Sequence, residues 1–135
     1  MSFEKTRYAV TNHFVTGWNP SHLPIVYENQ QEGNRNAAWG RFVVLFGGSI
    51  PMTIGNQGFV RTIGMAALQI FFPEAGGTKG FTDNADRFAN LFNLQVIRYQ
   101  GISVHFHTAG LSGVTKNNGW SQQTVSVSYR SDTRS

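Results

Sequence analysis

The chain has 135 residues, no cysteine, 40% hydrophobic and 13% charged residues, and a net charge of +4. Its length predicts one domain over residues 1–135, and its composition predicts a packed core rather than disorder. The lack of cysteine excludes a disulfide framework, a thiol nucleophile and a zinc site with thiolate ligands.

The basic residues are scattered along the sequence and form no lysine or arginine run. This distribution is typical of ordinary solubilising charge and predicts only a weak, salt-sensitive attraction to polyanions. The first residues include Glu4 and no long apolar run, which argues against a signal peptide. No stretch approaches the roughly 20 apolar residues of a membrane span, so we expect no membrane partner.

The N-terminal segment predicts a helix that is capped by Ser2 and ends near Gly17. Its apolar positions follow spacings of seven and four, which place Phe3, Val10 and Phe14 on one helix face. Two strands are predicted next, a short one over 24–27 and a longer one over 39–46. A third and longest strand is predicted over 59–72, ending at Pro73.

The segment Gly47–Gly58 between the second and third strands contains four glycines and a proline, which predict a turn region. Apolar residues alternate within it, so we expect an extended hairpin that projects from the body. Exposed apolar groups in loops usually need a partner, and the alternative is that they fold back over the sheet edge. The candidate contact residues are Ile50, Pro51, Met52, Ile54 and, at the end of a later polar loop, Trp120.

The second half of the chain predicts a helix followed by three strands. Apolar residues at positions 81, 85, 88, 89 and 92 fit one face of a helix, and Asp83, Asp86, Arg87 and Asn90 fit the opposite face. Strands are predicted over 94–98, 101–108 and 123–130, with a glycine-rich loop over 109–119 and a frayed tail over 131–135. Runs of strands favour an α+β fold with a mixed or mostly antiparallel β-sheet and two α-helices packed on one face.

No enzyme motif emerges, and we predict no catalytic, cofactor-binding or metal-binding residues and no cofactor. His105 and His107 share one face of a predicted strand, but no nearby carboxylate completes a metal site. The spacing Gly76-Gly77-x-x-Gly80 lacks the Gly-Lys-Ser/Thr ending of a phosphate-binding loop. Gly64 lies inside a predicted strand and indicates a bulge or a close backbone contact.

Several segments in this order resemble the tail terminator family of long-tailed, lambda-type bacteriophages. The resemblance covers nearly the whole chain and depends on order and spacing, because each motif alone is weak. The residues that carry it are Ile25–Asn29 after the first helix, Trp39–Phe42, Arg61–Gly64, Leu68–Pro73 with Gly76-Gly77, Ala85-Asp86 with Phe88 and Phe92, and Tyr129-Arg130.

The resemblance implies a structural protein of the virion, assembled in the host cytoplasm at the head-proximal end of the tail. In that family a hexameric ring caps the tail tube, stops its polymerisation and offers a surface for head–tail joining. The implied partners are further copies of the chain, the major tail tube protein and a head–tail connector or stopper protein. DNA passes through the lumen without sequence-specific binding, and lumen or inter-subunit charge is assigned to Arg41, Arg61 and Arg98.

Two departures and three alternatives remain at this stage. The loop 30–38 lacks the prolines common in similar proteins, and the glycine-rich hairpin has no evident counterpart. Another head–tail neck or tail-completion protein would share the size and ring assembly. A nucleic-acid-binding module would need clustered basic and aromatic residues, and a small enzyme would need His105 and His107.

Overall fold

The computed structural model describes residues 3–18, 23–27, 38–51, 59–73, 79–117 and 119–134. Two helices form within these ranges, α1 (Phe3–Gly17) and α2 (Lys79–Phe92), as the helical spacing predicted. The strands are β1 (Ile25–Tyr27), β2 (Trp39–Pro51), β3 (Phe59–Pro73), β4 (Val96–Tyr99), β5 (Ile102–Leu111), β6 (Thr115–Asn117) and β7 (Trp120–Arg134). The Ser2 cap lies outside the described residues.

The strands form one seven-stranded sheet in the order β1-β2-β3-β7-β5-β4, with β6 paired to β7 beyond the end of β5. Only β1 and β2 run parallel among the described pairs. This mixed sheet with two helices confirms the predicted α+β class. The central strands β3 and β7 pair along all 15 residues of each, so the sheet is longest in its middle.

Both helices pack on one face of the sheet, where an aromatic cluster forms the core. The Phe14 ring of α1 stacks on Phe42 of β2 with centroids 4.2 Å apart. In α2, Phe88 and Phe92 lie 4.7 Å apart, and Phe92 reaches Phe106 of β5 at 4.9 Å. Aromatic burial of this kind accounts for the high phenylalanine content, because each ring removes a large apolar area from water.

The predicted frayed tail is wrong up to Arg134, because β7 continues to that residue. Ser131 is fully buried, and its hydroxyl hydrogen-bonds to the Thr6 hydroxyl of α1 at 2.8 Å. The tail sequence is polar and short, which is why it suggested fraying. Pairing with β3 supplies the backbone partners that the local sequence could not indicate.

The predicted turn region begins later than Gly47, because β2 continues through both glycines to Pro51 and its last residues pair with β3, as an extended hairpin requires. The β2–β3 register shifts between Phe46 and Ser49, so the two glycines occupy a bulge rather than a turn. A Cβ on Gly47 would lie 2.9 Å from the carbonyl oxygen of Ile63, which explains a glycine there. The hairpin tip, residues 52–58, lies outside the described residues.

The predicted loop over 109–119 is largely strand. β5 extends to Leu111, and β6 pairs with the first residues of β7. The glycines at 110 and 113 made this region resemble a loop, whereas the long β7 offers a pairing edge that extends beyond β5. Residue 118 and the connector 74–78, which includes Gly76-Gly77, lie outside the described residues.

Candidate assembly surface

Within the described residues, one face of the sheet is covered by helices and the opposite face, called here the outer face, is not. Side chains alternate along each strand, so Leu68 of β3 and Val125 of β7 point to the helices and are buried. Met65 and Ser128 are opposed in the same register and belong to the outer face, where both are exposed. The outer face is therefore the first place to look for contacts with partners.

Three large apolar side chains at the β2–β3 pair form an exposed group, called here the β2–β3 patch: Leu45, Ile63 and Met65. Their exposed fractions are 52%, 43% and 38%. Leu45 lies directly opposite Met65, and Ile63 precedes Met65 by two residues on the same face. Adjacent exposed apolar side chains on a soluble protein are typical of a contact surface.

A salt bridge lies beside this patch, in the next row of the outer face. The Arg61 Nε and Nη2 atoms donate to the two carboxylate oxygens of Asp132 at 2.8 and 3.1 Å. This hydrogen bond lowers the pKa of Asp132, and the charges of Arg130 and His105 lower it further. The same bond raises the pKa of Arg61. Arg61, predicted to carry lumen or inter-subunit charge, therefore has a partner within its own chain.

The other two predicted arginines lie on the outer face at different places. Arg98 of β4 is exposed and opposite Ser103, which in turn opposes Asp132 across β5 and β7. Arg61 and Arg98 thus belong to one row across the sheet. Arg41 lies toward the other end of β2, with its guanidinium 5.5 Å from the centre of the Trp39 ring.

The predicted apolar contact residues are only partly described. Ile50 and Pro51 end β2, in register with Arg61 and Val60. Met52 and Ile54 lie outside the described residues. Trp120 is the first residue of β7, is partly buried opposite Pro73, and pairs with Asn117 at the end of the β6–β7 pair.

The histidines give no metal site within the described part of the chain. His105 lies on the outer face between Arg130 and Val96, and His107 is exposed two residues later. No group of three or more histidine, cysteine, aspartate or glutamate side chains forms among the described residues. In those same ranges, no helix is long and apolar enough to cross a membrane.

The sequence did not indicate a second exposed apolar group, called here the β4-edge patch: Leu94 and Val96. Leu94 is 73% exposed and Val96 43% exposed. Leu94 follows α2 with φ of 58°, in the left-handed region that favours glycine. Apolar residues at a predicted strand start suggested burial, so only the structure reveals their exposure.

The β2–β3 patch did leave a signal in the sequence. Residues 63–68 of β3 are apolar without interruption, a pattern typical of a strand covered on both faces. The helices cover one face only. A sheet with an exposed face of mixed apolar and basic character is the arrangement expected of a protein that acts through contacts with other molecules.

The comparisons with known proteins agree with that class. A model of the phage tail terminator protein family matches residues 5–129, so the chain belongs to this family of structural phage tail proteins. A solved protein whose name states no function shares the fold, with a TM-score of 0.69 and 19% identity over 98% of this chain and 95% of that one. The search of curated proteins gives no match.

Proposed function

We propose that this protein forms a hexameric ring that caps the phage tail tube, stops its polymerisation and provides the surface for head–tail joining. The observation that carries the proposal is membership of the tail terminator family over residues 5–129. In this role the protein acts at the head-proximal end of the tail, after assembly in the host cytoplasm. It binds copies of itself, the tail tube protein and a connector or stopper protein, and it needs no cofactor.

The hairpin between β2 and β3 is the proposed tube contact. Strand β2 extends to Pro51 and β3 begins at Phe59, so Ile50 and Pro51 lie at the end of a long antiparallel pair, and Met52 and Ile54 follow them in the sequence. Ile50, Pro51, Met52 and Ile54 would then contact the last ring of tube protein, with Trp120 as a further candidate.

The outer-face arginines are proposed to tolerate DNA in the lumen without reading its sequence. Among the described residues, this face carries more basic than acidic side chains. The bases are Arg41, Arg61, Arg98 and Arg130, and the acid is Asp132. A moderate positive charge attracts phosphates without selecting bases. Passage of DNA needs this weak attraction rather than tight binding.

The experiment combines purified protein with polymerising tube protein and measures tube lengths by electron microscopy. The unaltered protein is expected to bind tube ends and stop elongation. A variant with Ile50→Ser, Met52→Ser and Ile54→Ser is expected to lose capping while keeping its thermal unfolding temperature. Val15→Ser, which removes an apolar side chain 49% exposed on α1, is the matched control and is expected to cap normally.

Two outcomes would contradict the proposal. Tubes that elongate equally with and without the unaltered protein would exclude a terminator role. Binding to a portal-side stopper without binding to tubes would assign the chain to another place in the neck. Normal capping by the triple variant would remove the hairpin from the mechanism and leave the terminator role intact.

A further inference from the structure

Basic side chains form a cluster on the outer face, where strands β7, β5 and β4 lie side by side. Arg130 of β7 is opposite His105 of β5, and Arg98 of β4 is opposite Ser103, two residues before His105. Neighbouring strands lie about 4.8 Å apart, and residues on one face of a strand follow each other at roughly 6.7 Å. The backbone positions of Arg98, His105 and Arg130, called here the basic cluster, therefore lie within roughly 12 Å of one another.

One acid lies within reach of this cluster. Asp132 is the only carboxylate among the described strand residues, and it follows Arg130 by two residues on the same face. Both of its oxygens accept hydrogen bonds from Arg61, at 2.8 and 3.1 Å. The Arg61 hydrogen bond and the charges of Arg130 and His105 together lower the pKa of this carboxyl. Asp132 is thus engaged by Arg61 and also interacts with two members of the cluster.

The arginines of the cluster have no further acid on these strands to compensate them. The Nε of Arg130 is buried and has no hydrogen-bond partner in the described structure. A buried donor without an acceptor lowers stability, which indicates that this guanidinium serves a purpose other than folding. Together with Arg61, the exposed Arg98 and Arg130 give three positive charges against the single negative charge of Asp132.

The described surfaces of a second copy offer no matching negative charge. Its outer face carries the same positive excess and repels the first. Its exposed Asp83 and Asp86 share their surface of α2 with Arg87, which offsets part of their charge. A nucleic-acid backbone instead presents a dense row of phosphates, which arginines bind through paired hydrogen bonds. Phosphodiester oxygens are therefore the acceptors that suit the basic cluster.

We infer that Asp132 weakens the binding of phosphodiester backbones to the basic cluster and so keeps the outer face easy for DNA to leave. The inference rests on the proposed function, because it names the side chains of the outer face that contact DNA and the one that limits this contact. Asp132 holds the Arg61 guanidinium in a salt bridge, which withdraws one base from contact with phosphates.

The charge of Asp132 also acts on the cluster itself. Asp132, Ser103 and Arg98 share one row of the outer face, so two strand spacings, roughly 10 Å, separate the acid from Arg98. This distance is about one screening length at 0.1 M salt, and Arg130 and His105 are nearer. Asp132 therefore opposes the approach of phosphates to every base of the cluster.

DNA binding by the full chain tests this role. A fluorescent duplex of about 20 base pairs is titrated with protein, and its anisotropy is followed between about 50 and 200 mM salt. Asp132→Asn is expected to raise the affinity at the lowest salt about threefold or more. The slope of log affinity against log salt is expected to steepen by about one, because the released Arg61 can meet a phosphate.

Asp83→Asn is the matched control, because it makes the same change in net charge on the exposed surface of α2. It is expected to leave the affinity and the slope nearly unchanged. The double variant Arg61→Gln with Asp132→Asn removes both charges of the salt bridge and is expected to bind DNA as the unaltered protein does. Circular dichroism verifies that each variant is folded at the temperature of the titration.

Arg98→Gln and Arg130→Gln test the basic cluster itself. Each is expected to lower the affinity about threefold and to reduce the slope by about one, as follows from the loss of one phosphate contact. Arg87→Gln, which removes an exposed arginine from α2, is their control and is expected to leave both quantities nearly unchanged.

Three outcomes would overturn the inference. Equal effects of Asp132→Asn and Asp83→Asn would mean that net charge alone decides binding. Absence of salt-dependent DNA binding by both the unaltered protein and Asp132→Asn would remove the phosphate contact. Preference for polyglutamate over the duplex would assign the cluster to an acidic protein.

Tube capping by the unaltered protein is measured separately. Capping without the expected effects on DNA binding rejects this inference and keeps the proposed function. The expected effects on DNA binding without capping reject the proposed function and keep the role of Asp132.

Discussion

At the scale of single residues, Gly64 and Tyr129 show why one strand position of β3 excludes a side chain. Tyr129 is fully buried, and its hydroxyl crosses β3 to donate to the Leu45 carbonyl at 3.1 Å. A Cβ on Gly64 would overlap both the Tyr129 ring and the Leu45 carbonyl oxygen. Burial also raises the pKa of Tyr129, so the hydroxyl stays protonated and can donate.

We expect Gly64→Ala to lower the free energy of unfolding by about 1–3 kcal/mol, because the added methyl group displaces the tyrosine. Tyr129→Phe should cost about 1 kcal/mol through the lost hydrogen bond. The double variant should cost less than the sum, because a methyl group that displaces the tyrosine already breaks its hydrogen bond to Leu45, and that loss is then counted only once. Urea unfolding of the four proteins measures this. Full stability of Gly64→Ala would show that the close approach has no cost.

The Arg61–Asp132 pair gives a prediction about pH. The pKa of Asp132 is lowered in the folded state, so its contribution to stability is present above the unfolded-state pKa of about 4 and is lost as pH falls through the lower folded-state value. Both side chains remain partly exposed, at 28% and 22%, so solvent screening keeps the contribution of the pair to stability small.

Asp132→Asn is therefore expected to be slightly less stable than the unaltered protein at pH 7, with the difference shrinking below pH 4. Denaturant unfolding at several pH values measures the difference. Asp83→Asn, which removes an exposed carboxylate from α2, controls for the change in net charge. A stability difference that grows toward acidic pH would contradict the assigned direction.

At the scale of elements, the last residues of β7 connect the sheet to α1. Ser131 is buried against Thr6, and Thr62 in the same row of β3 is buried as well. This end of β7 therefore buries the Thr6 hydroxyl and supplies its hydrogen-bond partner, Ser131. The physical consequence is that a segment with tail-like composition contributes to the fold.

Deletion of residues 131–135 is expected to lower the free energy of unfolding by about 2–4 kcal/mol. The estimate combines the loss of the Ser131–Thr6 hydrogen bond with the loss of the strand pairing of residues 131–134 and of the Asp132 bridge. Ser131→Ala isolates the hydrogen bond and should cost about 1 kcal/mol. Thermal unfolding followed by circular dichroism compares them. A truncated chain as stable as the full one would mean that this end of β7 adds nothing.

At the scale of the whole molecule, the described charges are unevenly distributed between the two layers. The sequences of the two helices carry nearly equal numbers of acids and bases, three against four: Glu4, Asp83 and Asp86 against Lys5, Arg7, Lys79 and Arg87. The outer face instead has an excess of arginines over Asp132. Side chains alternate between the two faces along each strand, and pairing brings together arginines from strands that are far apart in sequence. These arginines therefore form no motif in the sequence.

The sequence by itself determined the helices, most strand positions, the α+β class and the family. Helical spacing of Phe88 and Phe92, and alternation of Val125 and Val127, are local periodicities that persist in any tertiary arrangement that buries one side. The resemblance to the family depended on the order and spacing of weak motifs, and both can be read directly from the sequence without knowledge of the fold. Gly64 was predicted to mark a bulge or a close backbone contact, and the structure shows the close contact, with the Leu45 carbonyl oxygen.

Only the tertiary structure decided where β2, β5 and β7 end and what the outer face presents. Strand ends depend on a neighbour that offers hydrogen bonds, and that neighbour is distant in sequence, as β3 is for Ser131. Whether a side chain is exposed also depends on which distant segments pack over it. The sequence neighbours of Leu45 or Leu94 therefore do not distinguish either residue from a core residue. The assembly surface arises from packing that leaves one face of an apolar sheet uncovered by the described helices.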